Sequence, residues 1–219
     1  MNEQDKWGAK HRNSTTPFEV GLLRTFINST GIKEPKILDF GVGQARNWPA
    51  LQEAGYNDLT GLDISPLLLE EARRSYPDKE LILVEDSTNT NLVSDSYDVI
   101  LLMGVLVCIT SLEVRENLLK EVVRLLKPGG IIYLTDFMIS ESRTVDYDAF
   151  KRDHPNSLYG TYYSPRQDMD FHHMSILELS KLLKTQSLHT LYQEFPEFTS
   201  VSKSIYTGVL GIYQKPQLK

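Results

Sequence analysis

The stretch KILDFGVGQARNWPALQEAGY, residues 36–56, constrains this chain more than any other. A short apolar run carries an acid at Asp39, passes through Gly41 and Gly43, and enters a helix-like segment. Glycines between a strand and a helix let the backbone approach a ligand closely, at the carboxyl end of the strand. The remainder of the chain repeats the pattern. Strands are expected at Lys36–Phe40, Leu59–Ile64, Leu81–Val84, Tyr97–Met103 and Ile131–Phe137, all short, apolar and rich in β-branched residues. Helical segments separate them. Ser65 and Pro66 read as an N-cap followed by proline at the first helical position, opening a helix that stops near Pro77. In SLEVRENLLKEVVRLLKPGG, residues 111–130, Leu118, Val122 and Leu125 keep helical spacing, and Lys127–Gly130 end the helix. Repeated strand–helix–strand units imply a doubly wound α/β fold with a mostly parallel sheet.

Composition narrows the class. With 219 residues, 41% hydrophobic and 24% charged, the chain has the size and make-up of one globular domain. A net charge of -6 opposes a nucleic-acid surface, which needs a basic field. Cys108 is the only cysteine, so no intramolecular disulfide or cysteine-rich metal site is expected. The first thirteen residues, MNEQDKWGAKHRN, are polar and unlike a secretory signal. The apolar run Val99–Ile109 falls short of the roughly 18 residues a membrane span needs. These features lead to the expectation of a cytoplasmic protein.

The glycine loop separates two classes of cofactor. The dinucleotide fingerprint G-x-G-x-x-G places a third glycine where this chain has Arg46. The carboxylate of Asp39 would oppose a pyrophosphate but suits a cation. LDFGVGQA, residues 38–45, resembles the first motif, D-x-G-x-G-x-G, of class I S-adenosylmethionine-dependent methyltransferases, with Ala45 in place of the last glycine. GLDIS (61–65) resembles the second, VEDSTN (84–89) the third, YDVILLMGVLVCI (97–109) the fourth, and LLKPGGIIYLTD (125–136) the helix end and fifth strand.

The resemblance covers residues 36–215 and implies a Rossmann-like seven-stranded sheet with an antiparallel C-terminal edge hairpin. It implies S-adenosyl-L-methionine as cofactor and S-adenosyl-L-homocysteine as product. Asp39, Gly41 and Gly43 would form the loop. Asp63 would accept hydrogen bonds from the ribose, and Ile64 would pack on the adenine. Asp86 would take the adenine amino group with Ser87 beside it, and Met103 and Gly104 would face the methionine end. For Asp39 a cap on the loop amides, for Asp63 an ordinary turn, and for Asp86 and Ser87 turn formation stand as alternative roles.

The variable parts of such a chain hold the acceptor. Here these are an N-terminal arm, residues 1–30, read equally as a helix over the sheet or a lid, and an insertion, residues 138–174, within a single domain spanning 1–219. The insertion shows no clear strand. It contains Tyr147, Tyr159, Tyr162 and Tyr163, candidates to line an acceptor pocket. His172 and His173 precede a helix expected at Ser175–Gln186. Packing is their plain role, and one of the two is a candidate general base. With His154 they match no metal pattern, and no metal is expected. Two β-like runs, Leu188–Phe198 and Ser204–Gln214, are expected to pair as a hairpin. The expected activity is methyl transfer to oxygen, nitrogen or carbon of a small molecule. Alternatives are a nucleic-acid or protein methyltransferase on the same fold, or a module that binds S-adenosylmethionine without turnover. The place after the fourth strand holds MGVLV rather than the Asn/Asp-Pro-Pro-aromatic motif of base-amine methylation.

Overall fold

The structure is a computed structural model and describes residues 18–199 and 205–217. Trp7, His11 and Arg12 of the N-terminal arm lie outside the described residues, as does Ser204. In chain order the elements begin with α1 (Val20–Thr30), β1 (Ile37–Phe40), α2 (Trp48–Glu53), β2 (Leu59–Asp63), α3 (Pro66–Ser75), β3 (Glu80–Leu83) and β4 (Tyr97–Met103). Then come α4 (Leu112–Leu125), β5 (Leu126–Phe137), α5 (Thr144–Asp153), β6 (Thr161–Ser164), β7 (Met169–His172), α6 (Ile176–Thr185), β8 (His189–Glu194), β9 (Glu197–Thr199) and β10 (Ile205–Gln214). Short 3₁₀ turns occupy Leu106–Cys108 and Glu141–Arg143.

The main sheet runs β3-β2-β1-β4-β5-β10-β8, and β9 pairs with β10 beside this path. The first five strands are parallel to their neighbours, while β10 is antiparallel to β5, β8 and β9. Strand periodicity sorts the core into two layers. Leu38, Phe40, Ile100, Leu102, Ile132 and Leu134 face α4 and α6. Ile37, Val99, Leu101, Ile131 and Tyr133 face α1, α2 and α3. Strands buried on both faces explain the unbroken apolar runs of the sequence.

Caps set the helix starts. The Ser65 side chain accepts from the Leu68 N–H ahead of Pro66, and Ser111 does the same for Val114. Ser175 forms a reciprocal capping box with Glu178. The end of α6 is less favourable. Ser187, exposed just past it, has φ 55°, a left-handed conformation usually given to glycine. Ser187→Gly is therefore expected to raise stability by about 0.5–1 kcal/mol, the relieved strain exceeding the added unfolded-state entropy. Urea unfolding checks this, and an unchanged or lower midpoint would contradict it.

The run expected at Leu188–Phe198 is divided into β8 and β9, each pairing with β10, and two further details differ from the sequence reading. The Lys127–Gly130 segment lies within the first residues of β5, with Leu126 opposite Tyr97 and a register shift before Val99 meets Ile131. The insertion, expected to lack strands, contains the antiparallel hairpin β6–β7. Its strands are only four residues each, with Tyr163 and Asp170 exposed, so no apolar run announced them. Among the described residues no helix is long and apolar enough to cross a membrane.

Candidate functional site

The sheet order reverses between β1 and β4, and a crevice outside their carboxyl ends is where open α/β sheets bind ligands. The loop after β1 enters this crevice. Gly41 has φ 80°, and a Cβ there would stand 2.6 Å from Val105 Cγ2, so only glycine lets the two loops meet. The Gly43 N–H donates to Asp63 Oδ2 at 2.8 Å, and the Ser65 N–H donates to Asp63 Oδ1 at 2.8 Å. One carboxylate at the end of β2 therefore ties the glycine loop to the start of α3. Burial raises the Asp63 pKa, against the opposing pull of the N–H groups of Ser65, Gly43 and Ile64.

Asp39 is 4% exposed and accepts from the Trp48 indole N–H at 3.0 Å. Burial lifts its carboxyl to about 7, held down in part by Trp48 and the cation of Arg46. The folded pKa thus lies above the unfolded 3.8. This contribution to stability is complete below pH 3.8 and lost as pH rises through about 7. Asparagine cannot ionise and still accepts from Trp48. Asp39→Asn is expected to exceed the parent in stability by about 2 kcal/mol at pH 8, with the gap closing toward pH 4. Urea unfolding across that range checks it, and a gap that does not grow with pH would contradict it.

The remaining cofactor candidates are spread along the strand ends. Ile64 is half-buried and packs against the core. Asp86 is exposed, and its Oδ1 accepts from the Thr88 N–H at 2.7 Å and hydroxyl at 2.6 Å, the turn-forming role. Ser87, half-buried, follows it in the same turn. Met103 ends β4, where its sulfur accepts from Asn47 Nδ2 at 3.3 Å. Gly104 has φ 66° and donates its N–H to the Thr135 carbonyl at 2.7 Å.

The two histidines diverge. His172 is fully buried, with Nδ1 2.9 Å from the Thr161 hydroxyl and Nε2 3.1 Å from Glu178 Oε1. Both its nitrogens are thereby engaged in joining the hairpin to α6. His173 faces an aromatic cluster. It stacks on Phe137 at 5.4 Å, with Nδ1 2.6 Å from the Tyr147 hydroxyl and Nε2 3.3 Å from that of Tyr162. Burial, then Arg143, push the His173 pKa down to about 3. Tyr159 packs edge-on against Tyr147 at the exposed rim, while Tyr163 turns outward to Asp168.

This cluster adjoins the crevice. Cys108 packs against it and donates its thiol to the Gly104 carbonyl at 3.3 Å. Loss of solvent, then the charges of Asp136 and Asp63, push that thiol well up, so it stays protonated. Among the described residues no group of three or more His, Cys, Asp or Glu is placed to hold a metal ion.

Residues 38–134 match a methyltransferase-domain family. Over these residues the chain carries a methyltransferase domain of a family that uses S-adenosylmethionine. Over 115 residues it is 30% identical to a demethylmenaquinone methyltransferase of Chlorobaculum tepidum, covering 50% of this chain and 43% of that protein. Over 105 residues it is 30% identical to an eEF1A lysine and N-terminal methyltransferase homolog of Drosophila pseudoobscura pseudoobscura, covering 43% of this chain and 16% of that one. The chain thus spans less than half the length of these curated relatives. A crystal structure of an S-adenosylmethionine-dependent methyltransferase from Methanosarcina mazei shares the fold, with TM-score 0.80 and 21% identity over 93% of this chain and all of that one.

The methyltransferase crevice fits the family's cofactor, S-adenosylmethionine. Two buried carboxylates, Asp39 and Asp63, stand at its walls and suit a ligand bearing a sulfonium and an ammonium. Several contributors escaped the sequence reading. Trp48 orients Asp39. Asp136 accepts the N–H groups of Leu106, Val107 and Phe137, fixing the turn after β4. Arg143 holds the aromatic cluster. An acid closing the fifth strand and a tryptophan opening a helix were the available signals; Arg143 is an ordinary surface type in sequence.

Proposed function

We propose that the methyltransferase transfers a methyl group from S-adenosylmethionine to a small molecule seated against the His173 cluster. When bound, the cofactor supplies a methyl group made electrophilic by its sulfonium. Asp63 is proposed to take the ribose hydroxyls with the lone pairs its two backbone donors leave. Gly41 and Gly43 would bring backbone against the methionine portion, and Asp39 would place negative charge near its cation. Ile64, Asp86 and Ser87 would border the adenine, and Met103 and Gly104 the methionine end. Tyr147, Tyr162 and His173 would shape the acceptor side, with Tyr159 at its rim. His172 and Tyr163, engaged elsewhere, would act only through the hairpin that carries them.

The observation that carries this reading is the path from Gly104 through Cys108 into the aromatic cluster. It joins the strand ends of the family's cofactor crevice to the insertion. Positioning, worth up to roughly 7–11 kcal/mol in oriented reactions, would supply most of the catalysis. The two relatives, one a demethylmenaquinone methyltransferase and one an eEF1A lysine and N-terminal methyltransferase homolog, keep a protein acceptor as the second reading.

Incubating the protein with methyl-labelled S-adenosylmethionine and a cell extract separates them. Label is expected in acid-soluble or solvent-extractable molecules. Label confined to acid-precipitated protein or nucleic acid would overturn the small-molecule reading.

A further inference from the structure

The aromatic cluster has donors in place and its hydrogen-bond acceptors already engaged. The 2.6 Å spacing of the Tyr147 oxygen and His173 Nδ1 is that of an O–H donor, so the Tyr147 hydroxyl donates to Nδ1. The single proton of the neutral ring then sits on Nε2 and is given to the Tyr162 oxygen. His173 therefore has no free lone pair. Tyr162 receives that proton and keeps its own O–H to donate.

Arg143 lies over two rings, 4.4 Å from the centroid of Tyr162 and 5.2 Å from that of Tyr206. Its Nη2 donates to the Tyr206 hydroxyl at 2.6 Å and its Nη1 to Asp146 at 2.9 Å. Its Nε is buried and has no hydrogen-bond partner among the described residues. A buried guanidinium N–H without an acceptor costs about 1–3 kcal/mol, more for a charged group, until something accepts from it.

The surrounding titratable groups offer no base. From the start of α5, Asp146 is half-exposed and tied to Arg143. From β5, both oxygens of Asp136 are taken by backbone N–H groups. From the turn after β4, Cys108 keeps its proton. From β7, His172 is engaged with Thr161 and Glu178.

We infer that this site takes its acceptor as a preformed oxyanion, a phenolate or enolate, held by Arg143 and the Tyr162 hydroxyl. The inference rests on the methyltransferase reading and names its substrate class. An oxyanion forms the new oxygen–methyl bond with its own electron pair. The carbon–sulfur pair departs with the neutral thioether, and no proton has to be removed by the protein.

The probe is 4-nitrophenol, which ionises near neutral pH and absorbs visibly only as the anion. It is titrated from acid to alkaline pH against protein saturated with S-adenosylhomocysteine, whose sulfur is uncharged. The bound probe is expected to ionise about one pH unit lower than the free one, a roughly tenfold preference for the anion. Arg143→Gln is expected to abolish that shift, and Arg143→Lys to retain part of it, both binding S-adenosylhomocysteine like the parent. An unshifted or raised probe pKa, an equal shift in Arg143→Gln, or no probe binding at millimolar concentration would each overturn the inference. Failure to bind S-adenosylhomocysteine at all would instead strike the methyltransferase reading beneath it.

Discussion

Asp63→Asn is expected to weaken S-adenosylhomocysteine binding by a factor of about 100, equivalent to roughly 2.7 kcal/mol. The carboxylate now uses one oxygen for the Gly43 N–H and the other for Ser65. An amide keeps one acceptor and turns an –NH2 group toward the second donor. The loop amide or the helix start loses its partner, and two ligand hydroxyls lose a charged acceptor. Charge-assisted hydrogen bonds are about twice as strong as neutral ones, so this loss exceeds that of one ordinary bond. Asp63→Ala should do at least as much damage to affinity. Calorimetric titration measures both, with unfolding midpoints recorded alongside. Parent-like affinity in a folded Asp63→Asn protein would remove Asp63 from the cofactor site.

Gly160→Ala is expected to cost about 3–5 kcal/mol of stability and to spare cofactor affinity. Gly160 has φ 101°, outside the range open to other residues, and its missing Cβ would stand 2.3 Å from the His173 carbonyl oxygen. The neighbour is backbone and cannot swing aside. His173 donates its own N–H to the Gly160 carbonyl at 3.0 Å, so separating the two segments breaks that bond and moves the imidazole off Tyr147 and Tyr162. None of this touches the glycine loop or Asp63. Urea unfolding and S-adenosylhomocysteine titration are expected to diverge, with stability falling and affinity holding within about threefold. A parallel fall in both would show the hairpin and the crevice to be one unit.

The cofactor side was legible because its chemistry is local. An apolar strand, an acid and two glycines specify β1 and its loop, and β4 was delimited correctly at both ends because both its faces are apolar. The acceptor side was not, because its order comes from partners distant in sequence. Tyr162 and His173 meet through a hairpin whose strands are only four residues long and carry no unbroken apolar run. Neighbouring histidines take separate roles because successive side chains of extended backbone point to opposite sides. Arg115 shows the limit most clearly. It lies on a helix with many charged residues and reads as solvated, yet it is fully buried and approaches Glu178 at only 3.8 Å. Helical spacing from Leu118, Val122 and Leu125 places it on the buried face, and only its charge argues for the surface, as it does for exposed Arg73 and Arg74.

The central claim is that the strand ends of β1, β2 and β4 hold S-adenosylmethionine. The most direct measurement is amide NMR of isotope-labelled protein titrated with S-adenosylhomocysteine. Saturable shifts at Gly43, Ser65 and Gly104, with little change in the hairpin β6–β7, are the predicted result. Saturable binding that leaves those three amides unmoved, or no binding by the folded protein, would contradict the account.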